Sequence, residues 1–338
     1  MVAPTTAIWI IAKVFTLVGY YTNGKDLILA AFTTFEKTAL ERFLMIYDIG
    51  DLHSFEAISA GIENSNYFVT LVNAADATEF VLTITEAFSF EDVPFFNDLM
   101  NRLHKQGLPV PHAQRTLDGM SSAIFCGKPT WLFSKLAGRH PEVISQNHCS
   151  IIGENLARLH LSAMDAKYQR ENPYCSKWMQ DTLNQVKHRI DKVDLPGINA
   201  LATKYVELEK NDQLPRGIIH GDLFTDNALF EGEKLSGIID FYHACNDFLI
   251  QDIAVTINDW CKTSSGLIDE TLKSCLLEGY QSQRKLSFEE NKHLPIFQQI
   301  AALRFSLTRL LSGSEETPLK NPNEFLNILR KLPRSNLN

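Results

Sequence analysis

One segment, residues 216–242, constrains the fold of this chain more than any other. It reads RGIIHGDLFTDNALFEGEKLSGIIDFY, with two short apolar runs on either side of the turn-forming EGEK. Strand-length runs joined by a turn that contains glycine predict a β-hairpin. Polar side chains flank it on both sides: His220, Asp222, Asn227 and Asp240. Because Asn227 directly precedes the hairpin and Asp240 directly follows it, we expect the two to meet at its base.

These polar groups are of the types that phosphoryl transfer requires. A carboxylate must accept or orient the proton of a substrate hydroxyl, and Asp222 is the candidate. An amide and a second carboxylate must hold Mg²⁺ against the phosphates of ATP, and Asn227 and Asp240 offer the oxygen ligands that magnesium prefers. We expect His220 to shape the loop by packing and hydrogen bonds, with direct participation in the reaction as the alternative. Ordinary turn residues are the competing interpretation of the whole set.

The rest of the chain predicts an α+β fold with two lobes. Strand-like segments occur at 55–58, 66–72, 79–84, 122–125 and 130–133, whereas helical spacing prevails at 34–47, 89–106, 145–164 and 294–312. We therefore predict an N-terminal extension over residues 1–31, a β-rich lobe over 32–134 and a mostly helical lobe over 135–338.

The apolar segment over residues 7–21 is the exception to this organisation. It is shorter than a membrane span and is interrupted by Lys13, and it lacks the features of a signal peptide. An accessory helix or strand, or a start codon placed too far upstream, is the favoured interpretation. A membrane anchor is the alternative.

Composition limits the possible partners. The net charge of −8, with no strongly basic half, argues against nucleic acid. The six cysteines contain no C-x-x-C pair, which argues against a zinc or redox motif and is typical of reduced thiols in a cytoplasmic protein. The sequence does not indicate an oligomeric state.

Taken together, these motifs resemble the aminoglycoside phosphotransferase and choline kinase superfamily, which has a protein-kinase-like fold. Within it, the sequence is similar to the bacterial type II homoserine kinase family. The resemblance covers residues 32–335, and the segments that match are SAGIENSNYFVT, VPFFNDLMNRLHKQGLPVP, LARLHLS, LPRGIIHGDLFTDNALF, LSGIIDFYHACNDFLIQDIAVTINDWC and AALRFSLTRL.

The resemblance implies a role for each matching residue. Asp222 would be the catalytic base, Asn227 and Asp240 the metal ligands, and Asp252 a brace for the catalytic loop. The residues implied in nucleotide binding are Gly61, Asn64, Ser65 and Asn66 of a phosphate loop, and Trp131 and Phe133 at the hinge that receives adenine. One departure is Thr83, which stands where protein kinases carry a phosphate-binding lysine.

The resemblance also implies a small-molecule substrate, L-homoserine, phosphorylated on its hydroxyl in the step that leads to threonine. Its ammonium and carboxylate call for acidic and arginine side chains. The candidates are Asp247, Asn258, Asp259 and either Arg304 or Arg309. A kinase for choline, ethanolamine or an aminoglycoside is the alternative within this class. A catalytically silent nucleotide-binding protein is the alternative from another class.

Overall fold

The computed structural model describes residues 33–58, 64–74, 76–86, 88–164, 166–312, 321 and 323–332. They form two compact units. The N-terminal unit contains the described residues up to Asn97 together with His112–Lys135, and the C-terminal unit contains Asp98–Pro111 and the described residues from Leu136 onward. The predicted extension over 1–31 lies outside the described residues.

An antiparallel sheet forms the body of the N-terminal unit. Its strands are β1 (Asp51–Ala57), β2 (Asn64–Val72), β3 (Ala77–Thr85), β4 (Ala123–Phe125) and β5 (Lys128–Ser134), in the order β1-β2-β3-β5-β4. Side chains of β2 alternate between buried and more exposed positions, as the strand period of two requires. Its buried residues Tyr67, Val69 and Leu71 share one apolar core with Leu40 and Phe43 of helix α1 (Lys37–Leu44).

Helices dominate the C-terminal unit. They are α3 (Gln146–Ser162), α4 (Ser176–Val186), α5 (Leu195–Leu208), α6 (Leu249–Trp260), α7 (Glu270–Gln283), α8 (Phe288–Leu311) and α9 (Asn323–Lys331). Helix α2 (Val93–Lys105) contains the division between the units, which falls after Asn97. Every residue of α6 is buried, so this helix forms the centre of the unit. The helix predicted over 294–312 begins earlier, at Phe288, because Ser287 and Glu290 form a capping box.

Two short antiparallel sheets complete the C-terminal unit. Strands β7 (Ala228–Glu231) and β8 (Lys234–Ile238) form the predicted hairpin, and its turn includes Gly232 at a φ of +60°. Strand β6 (Arg216–Ile219) precedes the hairpin in the sequence and strand β9 (Cys245–Phe248) follows it, and these two strands pair with each other. The segment 216–248 thus folds as a pair of strands enclosing a hairpin, with the polar residues in the connections.

None of the helices in the described ranges combines the length and the apolarity needed to cross a bilayer. The apolar segment 7–21 falls outside these ranges, so its assignment as an accessory element stays a prediction.

Helices α3 and α7 cross with their backbones in direct contact. A Cβ atom added to Gly153 would lie 2.0 Å from the carbonyl oxygen of Leu276, and one added to Gly279 would lie 2.0 Å from the carbonyl oxygen of Ser150. No side chain fits at that separation. Glycine at both positions is therefore a requirement of the crossing.

Replacing Gly153 tests this crossing. Gly153→Ala should lower the free energy of unfolding by about 2–3 kcal/mol, because the added methyl group forces the two helices apart. Urea denaturation of the purified protein measures the change. The matched control is Gly197→Ala in helix α5, where an added Cβ meets no atom within 4 Å. That variant should be neutral or stabilised by up to about 1 kcal/mol, and equal losses in both variants would contradict the close crossing.

Candidate active site

The loop over residues 220–227 connects strand β6 to strand β7 and carries three of the four predicted polar residues. Gly221 has a φ of +78°, and a Cβ atom there would lie 2.9 Å from the carbonyl oxygen of His243. The single helical turn Thr225–Asn227 then leads directly into β7. Strands on both sides therefore fix the ends of the 220–227 loop.

His220 is fully buried and connects this loop to the end of strand β8. Its Nε2 lies 3.0 Å from the carbonyl oxygen of Ile239, and its Nδ1 accepts a hydrogen bond from the backbone N–H of Asp222 at 3.3 Å. This pattern assigns a neutral ring with the proton on Nε2. Burial lowers the pKa of His220 to about 4, which agrees with a neutral imidazole. Both ring nitrogens are engaged in holding the backbone.

Asp222 is oriented by Asn227. The Asn227 side-chain amide donates to the backbone carbonyl of Asp222 at 2.8 Å and to Oδ2 of its carboxylate at 3.3 Å. Oδ1 of Asp222 is buried and accepts no hydrogen bond from the residues that the structure describes. An oriented carboxylate with a vacant acceptor position suits the removal of a hydroxyl proton.

The pKa of the Asp222 carboxylate is shifted toward neutral pH. Burial raises its pKa to about 7 and outweighs the lowering effect of His243 and Arg304, while Asp240 adds a further increase. A base with a pKa close to the working pH combines a large ionised fraction with good proton affinity.

Asp240 follows strand β8 in the left-handed backbone conformation, with a φ of +64°. The N–H of Ile239 donates to the backbone carbonyl of Asn227 at 3.0 Å and so extends the hairpin ladder to the residue before Asp240. Aspartate tolerates this conformation better than most residues, and strain of this kind is common at functional sites. The base of the hairpin thus carries Asn227 directly before strand β7 and Asp240 just beyond the end of strand β8.

The donor atoms at the hairpin base fit a magnesium ion. Asp240 offers a carboxylate, and Asn227 offers Oδ1, since its Nδ2 is engaged with Asp222. Among the described residues there is no group of three or more His, Cys, Asp or Glu side chains able to hold a metal. With two protein oxygens as ligands, such an ion would take its remaining ligands from phosphate and water, as is usual for magnesium bound with a nucleotide.

Asp252 of helix α6 anchors the start of the 220–227 loop through hydrogen bonds to its backbone. Its Oδ2 accepts from the backbone N–H of His220 at 2.7 Å, and its Oδ1 accepts from the N–H of Gly221 at 2.9 Å. His160 of helix α3 adds a third bond, from Nε2 to Oδ2 at 3.0 Å. Burial alone would raise the pKa of Asp252, but the bonds from His160 and His220 outweigh it and lower the pKa.

His160 is held in turn by a chain of polar side chains. Its Nδ1 lies 2.8 Å from the hydroxyl of Tyr280, which accepts from Arg284 at 3.1 Å. Arg284 also binds the buried Glu290 at 2.9 Å. Asp252 is thus the inner end of a network that spans helices α3, α6, α7 and α8.

Two of the predicted substrate residues are engaged within the protein. Asp247 accepts from Asn172 at 2.6 Å and from the N–H of Phe248 at 2.7 Å. Asn258 exchanges hydrogen bonds with Gln298 of helix α8, at 2.7 Å to its backbone carbonyl and 3.3 Å to its side chain. Both side chains are buried and join secondary-structure elements.

Arg304 of helix α8 has a different environment. Its Nη1 donates to the backbone carbonyl of Gly221 at 2.6 Å, and its charge lowers the pKa of Asp222. Its buried Nε has no hydrogen-bond partner among the described residues. An arginine that is 5% exposed and keeps a vacant donor beside the base is a candidate anion-binding group.

Tyr174, which no sequence pattern indicates as a site residue, lies on the loop between helices α3 and α4. The guanidinium carbon of Arg304 sits 4.0 Å from the centre of the Tyr174 ring, and the Tyr174 hydroxyl lies 3.2 Å from Nδ1 of His243. The same loop reaches the 242–244 backbone through Arg170. A loop without periodicity carries no signal for such contacts, so Tyr174 could not be found from spacing alone.

The predicted nucleotide residues lie on the sheet of the N-terminal unit. Asn64 and Asn66 share one face of β2, and the Asn66 side chain accepts from the Thr83 hydroxyl at 2.7 Å. Ser65 points to the opposite face, where it donates to Glu86 and accepts from the N–H of Thr33 at 2.8 Å. Gly61 lies outside the described residues.

Trp131 and Phe133 are buried on β5. The Trp131 ring packs against Phe96 at 5.0 Å between centroids, and its N–H donates to Asn97 at 2.7 Å. The N–H of Ser134 and the carbonyl of Leu132 bond the backbone over residues 112–114. The side chains of Trp131 and Phe133 therefore stabilise this strand from within the unit.

Known proteins are similar to this chain in sequence and in fold. Residues 54–286 match the phosphotransferase enzyme family. The chain belongs to this family. The homoserine kinase of Pseudomonas aeruginosa (strain LESB58) is 37% identical over 305 residues, which cover 88% of this chain and 94% of that protein. The homoserine kinase of Neisseria meningitidis serogroup B (strain MC58) is 34% identical over 90% of this chain and 100% of its own length.

Among solved structures, an amicoumacin kinase in complex with AMP-PNP and Ca²⁺ has a TM-score of 0.65 at 15% identity, covering 88% of this chain and 91% of that one. The likeness confirms the predicted protein-kinase-like α+β fold. Membership of the family and the named kinases confirm the expected class, an ATP-dependent phosphotransferase with an alcohol acceptor.

The raised pKa of Asp222 gives a stability prediction. Unfolded aspartate ionises near pH 4, whereas folded Asp222 keeps its proton up to about pH 7. Ionisation therefore destabilises the fold progressively across that window and fully above it. Asp222→Asn should raise the free energy of unfolding by about 1–3 kcal/mol at pH 8, with a smaller gain at pH 5.

Chemical denaturation at both pH values measures this gain. The matched control is Asp212→Asn, which removes an exposed carboxylate outside the 220–227 loop and should change little. An Asp222→Asn protein that is less stable than the unaltered chain at pH 8 would contradict the assigned environment.

Proposed function

We infer that the protein is a homoserine kinase, which transfers the γ-phosphoryl group of ATP to the hydroxyl of L-homoserine and releases ADP and O-phospho-L-homoserine. The observation that carries this conclusion is the identity of 34–38% with homoserine kinases over 88–90% of the chain. A partly buried, oriented carboxylate at the end of a kinase-type loop is consistent with it.

We propose that Asp222 is the catalytic base. Its Oδ1 would accept the hydroxyl proton as the hydroxyl oxygen forms its bond to the γ-phosphorus and the bond to the β,γ-bridging oxygen breaks. Asn227 keeps the carboxylate in orientation through its amide. His220, neutral and bonded through both ring nitrogens, would act as a positioning residue that transfers no proton in the reaction.

Asp240 and Asn227 would hold Mg²⁺ in the complex with ATP. When bound, the ion neutralises charge that develops on the phosphates. The left-handed backbone at Asp240 and the ladder bond at Asn227 orient these ligands before any nucleotide arrives, which reduces the cost of reorganisation.

For the nucleotide, we propose that Asn64 and Asn66 face the phosphates and that Ser65 supports the strand from its other face. We also propose that Gly61 takes part in phosphate binding. The rings of Trp131 and Phe133 are buried. We therefore propose that these residues contribute to adenine binding by holding strand β5 in position. We also propose a cytoplasmic location, because all six cysteines are free thiols, as in a reducing compartment.

Arg304 is the proposed partner of the homoserine carboxylate. The guanidinium is stacked on Tyr174 and tied to the Gly221 carbonyl, so its remaining donors are held in one orientation close to the base. A charge-assisted hydrogen bond from such a group would fix the acceptor with its hydroxyl directed at Asp222. We propose that Asp247 and Asn258 support the site through the internal bonds that they make.

The assignment is tested by coupled measurement of ADP release from Mg·ATP. L-homoserine should be turned over in preference to choline, L-serine, L-threonine and an aminoglycoside. Asp222→Asn and Asp240→Asn should each lower kcat by about three orders of magnitude or more, through loss of the base and of the metal ligand. Preferred turnover of another acceptor would retain the mechanism and replace the substrate, whereas near-normal turnover by both variants would overturn the mechanism.

The role of Arg304 has its own test, the comparison of homoserine with 3-aminopropan-1-ol, which is homoserine without its carboxylate. Arg304→Met should reduce the ratio of kcat/KM for the two acceptors about 10- to 100-fold, because a charge-assisted hydrogen bond to the carboxylate is lost. A purely structural role would lower both values alike and leave the ratio unchanged. Arg309→Met is the matched control, since Arg309 is paired with Glu324, and its ratio should stay unchanged.

A further inference from the structure

The 220–227 loop rests on the C-terminal helix through an aromatic cluster. The ring of Phe224 lies 4.6 Å from that of Phe305 on helix α8 and 5.6 Å from that of Phe325 on helix α9. Phe305 and Phe325 are themselves 5.1 Å apart. All three rings are buried, and Phe224 and Phe325 are nearly parallel at 18°. Helix α9 therefore forms part of the surface on which the loop lies.

A network of charges reaches the same loop from the same helix. The backbone N–H of Thr225 donates to Oδ2 of Asp259 at 2.7 Å. Lys262 bridges Oδ1 of Asp259 and Oε1 of Glu324 on α9, at 2.7 Å each. Arg309 binds the other oxygen of Glu324 at 2.6 Å. A continuous line of bonds thus runs from helix α9 to the loop backbone.

The two contacts converge on neighbouring residues. Phe224 and Thr225 begin the helical turn that ends at Asn227, whose amide orients Asp222. Asp259 was a candidate substrate residue from the sequence, but its carboxylate is occupied by Thr225 and Lys262. A displacement of Phe224 or Thr225 would move Asn227 and the carboxylate that it orients.

We propose that helix α9 is a positioning element for the catalytic machinery, acting through Phe325 and Glu324 on Phe224 and Thr225. The kinetic test of this inference rests on the proposed function, whereas its test by amide hydrogen exchange rests on the structure alone. Neither residue would touch the substrate. Their effect on turnover comes from the placement of Asp222 and Asn227, for which small displacements have large costs.

The test uses Phe325→Leu and Glu324→Gln in the full-length chain. Each should lower kcat about 10-fold or more while the KM values for ATP and acceptor stay within about twofold, because alignment is lost and binding is retained. Amide hydrogen exchange, measured on a peptide that covers residues 221–228, should become faster in both variants. Thermal melting checks that each variant is folded. If Phe325→Leu is not folded, Glu324→Gln alone provides the test.

The matched control is Arg330→Gln, which breaks the contacts of α9 with Asp191 and Asp194 and leaves Phe325 and Glu324 in place. Its kcat and its exchange rate should stay within about twofold of the unaltered protein. The proposal is overturned if Phe325→Leu and Glu324→Gln behave like this control. If homoserine proves not to be the acceptor, the exchange measurement still decides the role of α9, so the two failures are distinguishable.

Discussion

The arrangement of the site depends on one buried carboxylate, that of Asp252. It accepts the N–H groups of His220 and Gly221 and is itself held by His160. A buried ionised group is stable only when its hydrogen bonds are complete, and removal of one partner costs about 3–5 kcal/mol. The start of the 220–227 loop is therefore held at the position where its backbone N–H groups complete the hydrogen bonds of the Asp252 carboxylate.

The rest of the site follows from that anchor. With its start fixed, the loop carries Asp222 forward and ends in a turn that delivers Asn227 to the hairpin, where the ladder brings it next to Asp240. Each active group is thus positioned by hydrogen bonds to the backbone or to a neighbouring side chain, and Oδ1 of Asp222 and Nε of Arg304, which have no partner among the described residues, are available for ligands. This division between bonded and vacant groups is what preorganisation requires.

The sequence predicted what local patterns encode. The hairpin, the sheet strands and helix α3 follow from periodicity and turn residues, and the association of Asn227 with Asp240 follows from the hairpin. The pairing of Asn258 with Gln298 did not follow, because it joins two helices distant in the chain. Nor could spacing indicate that Tyr174 would stack on Arg304. Long-range side-chain contacts depend on packing that no local pattern records.

The backbone contact between helices α3 and α7 has a consequence beyond stability. Gly153 and His160 lie on one helix, and Gly279 and Tyr280 lie on the other, so the crossing sets the reach of the bond between His160 and Tyr280. That bond in turn orients the imidazole that holds Asp252. The two glycines thus fix the distance between helices α3 and α7. The geometry of the active site therefore depends in part on two residues that have no side chain.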